Sequence, residues 1–256
     1  MKPEARRKAV QGKGVAMSTF GTIEVADKFL EHAHEQAFKA LQSPKTPGLL
    51  AKYYDSGTNY AGSTFAILKP NDPVRVTAVD LLATSTLSVR IPPRAVHRFL
   101  TEDETAHTVS QRLTALPKRE LGNTGEADFA LMADFYDLVK ACLSRTGVKN
   151  PNPWVTASKL CARKRPDLFP VRDRVVCKYL GILSLNDRAR DWFVFRHLIR
   201  DSAVKRCLEE HSSALVAIAG DNPRILVDQE LLRLLDGVLW MYATEVDGIE
   251  DDCSEE

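Results

Sequence analysis

Apolar residues recur at three- and four-residue spacing through most of this chain, cut at intervals by Pro and Gly. That periodicity most constrains the fold. In the first run Ala26, Phe29, Leu30, Ala33, Ala37, Phe38 and Leu41 share a helical face, and Pro47–Gly48 reads as its end. Thr77 and Asp80 have capping-box spacing, with Asp in place of Glu, and predict a helix running to about Arg90, where Pro92–Pro93 stop it. Further helices are predicted over 94–101, 105–115, 127–145, 154–165, 173–180, 188–199, 202–219 and 227–243. The stretch "LLRLLDGVLWMYA" reads as a core helix on Leu231, Leu234, Leu235, Val238, Leu239 and Met241, with Asp236 as a buried partner for an arginine. One stretch departs from the pattern. "LLAKYYDSGTNYAGSTFAIL" is rich in aromatic and β-branched residues, is broken at Gly57 and Gly62, and reads as a short strand or loop pair. The expected class is all-α with minor β.

With 44% hydrophobic and 27% charged residues among 256, the chain has enough apolar surface for one large domain or two lobes. Its net charge of +1 says nothing about partners, but the distribution does. From Arg145 to Lys178 nine basic residues stand against two acids, a directed positive field on a neutral protein. The five cysteines are odd in number and have no CxxC pair, which points to reduced, buried thiols. His32 and His34 point to opposite sides of a helix, so no metal is expected there, and the other histidines are isolated. Residues 1–18 read as a flexible basic arm, with Met17 a second candidate start, and residues 245–256 as an acidic disordered tail. No stretch has the length of a signal or a membrane span, so no membrane partner and a cytoplasmic location are expected.

The chemistry concentrates in "WVTASKLCARKRPDLFPVRDRVVCKYLG", Trp154 to Gly181. Helix 127–145, a Gly- and Pro-containing turn and helix 154–165 make a helical hairpin. Amides at such a turn form an anion site, and Lys149, Lys159, Arg163, Lys164 and Arg165 add cations suited to phosphates. Past Pro166 and Pro170, Asp173 stands at the start of the next helix, between Arg172 and Arg174. A carboxylate there caps its own helix, or faces the space the cations surround. The charge run can equally be a solvated helix face. Trp154 suits core packing or base stacking. Tyr53, Tyr54, Asp55 and Tyr60 suit a base pocket or a structural clasp.

On Thr156–Ala157, on Pro170-Val171-Arg172-Asp173 sixteen residues beyond Ala157, and on Leu180–Gly181, segment 145–181 resembles the helix-hairpin-helix DNA glycosylases. Over roughly 50–243 the chain also resembles a bacterial family known mainly as a domain of unknown function, through "VTASKLCARKRPDLFPVRDRVV" and "LRLLDGVLW". The glycosylase resemblance implies a two-lobed fold with a cleft at the lobe junction. One lobe would span 19–74 plus 173–244 and the other, with the hairpin, 75–172. It implies that a base is flipped into the cleft, that Asp173 stabilises charge on the sugar and positions water, and that Gly147 and Val148 belong to the hairpin. Trp154, Thr156 and the basic residues Lys149, Lys159, Arg163, Lys164, Arg165, Arg172 and Arg174 would bind double-stranded DNA. Three features depart from the family. The turn is lengthened by "NPNP". Val155 stands where strand-cutting members carry lysine, which implies no Schiff base. The iron–sulfur cysteines of some members are missing. The expectation is a monofunctional N-glycosylase without cofactor, serving repair or anti-phage defence; the alternative is a non-catalytic duplex-binding protein. The sequence leaves the oligomeric state open.

Overall fold

The computed structural model describes residues 23–145, 147, 149 and 151–250. The basic arm at 1–18, Val148 and the tail residues 251–256 lie outside the described residues. Within them the chain forms α1 (Asp27–Leu41), α2 (Thr46–Tyr54), α3 (Gly62–Ile67), α4 (Ala78–Ser85), α5 (Pro93–Leu100), α6 (Asp103–Ala115), α7 (Glu126–Leu143), α8 (Trp154–Lys164), α9 (Arg174–Tyr179), α10 (Arg188–Arg200), α11 (Ser202–Asp221) and α12 (Leu231–Glu245). Extended pairing among the described residues is limited to one bridge, Asp55 with Ile225. The protein is all-α.

Three local expectations fail for identifiable reasons. The stretch read as a short strand or loop pair instead carries most of α2 and all of α3, with a loop between them. Leu50 and Tyr54, one turn apart, are both fully buried, so packing overrides their strand propensity. Pro47 does not end the first helix, which stops at Leu41; it sits in the first turn of α2, where a missing N–H costs nothing. The capping box at Thr77 and Asp80 forms as expected, but α4 ends at Ser85 instead of near Arg90. There Thr84, Ser85 and Thr86 turn their hydroxyls back onto the carbonyls of Asp80, Leu82 and Ala83, competing with the helical ladder.

Contacts between helices fall into two groups. In one, α12 packs on α1, α2, α9 and α11, and α10 packs on α1 and α11. In the other, α8 packs on α4 and α7, with α5 and α6 against α7. The short α3 touches both α2 and α4, and one hydrophobic cluster runs through both groups. The acidic tail is not wholly free of the fold. Asp247 pairs with Lys39 at 3.0 Å and Glu245 with Lys52 at 3.1 Å, while Ile249 N–H donates to the Ala243 carbonyl at 2.9 Å. Residues 245–250 therefore return onto α1 and α2.

Gly181 closes α9 at φ +70°, the left-handed conformation that favours glycine at a helix end. An added Cβ would also lie 2.5 Å from the His32 ring.

Candidate active site

Asp173 is the N-cap of α9. Its Oδ1 accepts the Val176 N–H at 2.9 Å, and the residue is only 4% exposed. The cap bond does not exhaust its position. Asp173 also forms part of the wall of a cleft between the two helix groups, about 680 Å³ counted out to its mouth. Asp173 thus caps α9 and lines the cleft.

The cleft is walled by Tyr53 at the end of α2, Tyr60 in the loop that follows, Lys159 of α8, and Arg233, Asp236 and Trp240 of α12. The Tyr53 and Tyr60 rings lie 6.3 and 6.0 Å from Trp240 and 6.4 Å from each other. Three aromatic faces in one cavity suit a flat heteroaromatic guest. Tyr53 is held in place by a close approach of backbone: a Cβ on Gly62 would stand 2.4 Å from its ring and 2.7 Å from its carbonyl oxygen. Gly62→Ala is therefore expected to displace Tyr53 and lower the melting temperature by several degrees. Unchanged thermal unfolding and Tyr53 NMR shifts would contradict this.

Asp236 is buried. Its Oδ2 accepts the Val171 N–H at 2.6 Å, while its Oδ1 has no hydrogen-bond partner among the described residues. Burial, with the nearby Asp173 adding to it and the Val171 bond opposing, raises this carboxyl well above the ordinary carboxylate range. A carboxyl raised in the folded state binds more protons folded than unfolded, so its penalty grows as pH rises from that range. Asp236→Asn keeps an acceptor for Val171 and removes the penalty. It is expected to melt higher than the parent at pH 8, with the difference vanishing near pH 4. Equal melting at both pH values would contradict the burial argument.

The structure gathers only some of the residues expected at the site. Tyr53, Tyr60, Lys159 and Asp173 meet in the cleft. Tyr54 is instead fully buried in the core, and Asp55 is paired with Arg224 outside the cleft. The basic segment is not an open cationic surface. Arg163, 1% exposed, donates to Asp80 and to the Phe65 and Ala66 carbonyls. Lys164, 3% exposed, reaches Asp80 at 2.8 Å together with Asn71 and the Arg75 carbonyl. Lys159 donates to the Leu87 carbonyl, Arg165 to Asp167 and the Pro117 carbonyl, and Arg172 to Asp191. All five are hydrogen-bonded within the fold, four of them buried and Arg165 half-buried, where the sequence reading sets them out as phosphate contacts. Thr156 is buried in α8, while Trp154 and Arg174 line a separate pocket. In the hairpin Gly147 takes φ +82° and Lys149 is exposed; Val148 lies outside the described residues. Arg90 and Arg145 flank a small crevice beside the hairpin, with Asn152 and Thr156.

Sequence reasoning missed α12 as a wall. Arg233, Asp236 and Trp240 fall at i, i+3 and i+7, one helical face that is polar and aromatic in an otherwise leucine-rich helix. That break in the apolar pattern was the available signal.

Cys142, Cys161 and Cys177 are buried free thiols. Among the described residues no group of three or more His, Cys, Asp or Glu could hold a metal ion, and no helix is long and apolar enough to cross a membrane.

Fold and site together define an all-α protein whose two helix groups meet at a cleft lined by aromatic rings and two carboxyl groups. Residues 47–243 match a family of unknown function (DUF6308), and the chain belongs to it. No curated protein and no solved structure matches the chain.

Proposed function

We propose that this chain is a monofunctional DNA N-glycosylase, with Asp173 as the carboxylate that stabilises positive charge on the deoxyribose and orients the attacking water. The observation that carries the reading is the place of Asp173 in the wall of a cleft that also offers the Tyr53, Tyr60 and Trp240 rings. An extruded base would stack on those rings, leaving its sugar near the carboxylate. The bond from C1′ to the base nitrogen breaks with its electrons going to the base. Water adds to C1′, the base leaves with a proton, and an abasic sugar remains. Val155 offers no amine for a Schiff base, so strand cleavage by that route is not part of the reading. Arg90, Arg145 and Lys149 lie beside or within the hairpin and are exposed cations available to a duplex.

A second reading, the same cleft acting on a free nucleoside or nucleotide, is favoured by one observation: Lys159, Arg163, Lys164 and Arg172 are used inside the fold. One experiment separates the two. The protein is incubated with duplexes carrying oxidised, deaminated, alkylated or bulky modified bases, and in parallel with the matching nucleosides. Alkali-labile sites in a duplex, lost in Asp173→Asn, support the DNA enzyme. Base released from nucleosides alone supports the second reading, and release from neither substrate contradicts both.

A further inference from the structure

A second cavity lies on the other side of the chain at Asp173. It measures about 1030 Å³ counted out to its mouth, and α7, the start of α8, Arg172, Arg174 and the start of α10 enclose it. Its wall is mostly charged, and the charges are not all matched. Each carboxylate there already has work. Asp137 accepts from Arg188 at 2.5 Å, Asp187 caps α10 through the Ala189 and Arg190 amides, and Asp191 Oδ2 accepts from Arg172 at 2.8 Å while its Oδ1 is buried without a hydrogen-bond partner. The cations are in surplus. Among the described residues neither the Lys140 ammonium nor the Arg174 guanidinium has a hydrogen-bonded or ion-paired partner, and the Arg188 Nε is buried without one. Burial lowers the pKa of Lys140; Asp137 opposes that, and Arg188 and Arg172 add to it. Two aromatic walls are also taken up: Arg172 lies 4.9 Å over the Trp154 ring and Arg188 5.9 Å over the Tyr136 ring. Stacking fixes the direction of both guanidinium groups, so their free N–H edges are preset and not mobile.

We propose that this pocket is a phosphate-binding site, in which Lys140 and Arg174, beside the Arg188 guanidinium, take the oxygens of one phosphate group. A tetrahedral anion accepts several hydrogen bonds at once, which suits a pocket lined by Lys140, Arg174 and Arg188, with the unpaired Asp191 Oδ1 the one acceptor opposing it among the buried atoms described. Arg174 is the residue after Asp173, so a phosphate seated here is registered against the cleft by a single peptide link. The phosphate can come from a DNA strand or from a free phosphate ester, and the test distinguishes them.

Calorimetric titration with inorganic phosphate and with adenosine 5′-monophosphate, and binding to an unmodified duplex over a range of salt concentrations, are compared for the parent and for Lys140→Gln, Arg174→Gln and the double variant. Both side chains are partly exposed, and circular dichroism checks that the fold is kept. The double variant is expected to weaken binding of at least one probe by ~10-fold or more. If the source is a DNA strand, duplex affinity falls and the log–log salt slope shrinks by about one. If it is a free ester, monophosphate binding is lost and duplex binding is unchanged. The proposal is overturned if folded double variant and parent bind all three probes alike, or if the parent binds none of them. Neither result depends on base release, so the outcome stands apart from that of the glycosylase reading.

Discussion

Asp173→Asn is expected to fold as the parent does and to release base ~100-fold or more slowly, within the 10²–10⁴ range typical of a lost catalytic carboxylate. The substitution separates the two jobs of this residue. Asn serves as an N-cap about as well as Asp, so the bond from Val176 N–H survives and thermal unfolding should move little. What disappears is the negative charge facing the cleft. Asp173→Ala loses both, and should be less stable by about 1 kcal/mol from the cap alone as well as inactive. The pair of variants is read by single-turnover base release and by thermal melting on the same samples. Equal activity in Asp173→Asn and parent would leave the aspartate as a helix cap and nothing more.

Asp80→Ala should produce the largest loss of stability of any single change considered. Asp80 is fully buried and lies 3.1 Å from Arg163 Nε and 2.8 Å from Lys164 Nζ, and its Oδ2 also accepts the Thr77 N–H of the capping box. Removing it strands two buried cations and opens the start of α4 together. Breaking a buried pair by deleting one partner costs about 3–5 kcal/mol. For a domain of this size that is a fall in melting temperature of roughly 6–20 °C. Arg163 also holds α3 through the carbonyl of Phe65, which lines the cleft, and Lys164 holds the α3–α4 connection through the Arg75 carbonyl, so binding there should weaken as well. Replacing Asp80, Arg163 and Lys164 together by Leu, Met and Met should be less damaging than Asp80→Ala, because no charge is left unpaired. A melting temperature of Asp80→Ala within about 2 °C of the parent's would contradict this account of the basic segment.

Much of the helical architecture was legible because it is written locally. The apolar spacing of α1, α7 and α10 and the capping box at Thr77 depend on neighbours within a turn or two. The sequence between Leu49 and Leu68 was misread because its aromatic residues speak for a strand, while burial of Leu50, Tyr54 and Phe65 against distant helices decides for a helix. The charges of 159–172 show a second limit. Composition displays the cations but not their partners: Arg163 meets Asp80 across 83 positions, and nothing near either residue announces the pairing. The place of Asp173 as a helix N-cap was legible from the prolines ahead of it and the apolar helix behind it. Its companions Arg233, Asp236 and Trp240 were not, because a leucine-rich helix reads as core until its one polar face is set against the cleft.

The central claim, that Asp173 meets a sugar cation in this cleft, can be tested without knowing the base. The measurement is the affinity for a duplex carrying one pyrrolidine abasic-site analogue, whose ring nitrogen bears the positive charge of the transition state. The account predicts binding ~100-fold or more tighter than to the matched unmodified duplex, with that advantage lost in Asp173→Asn. Equal affinity for the two duplexes, or an advantage that survives Asp173→Asn, would contradict it.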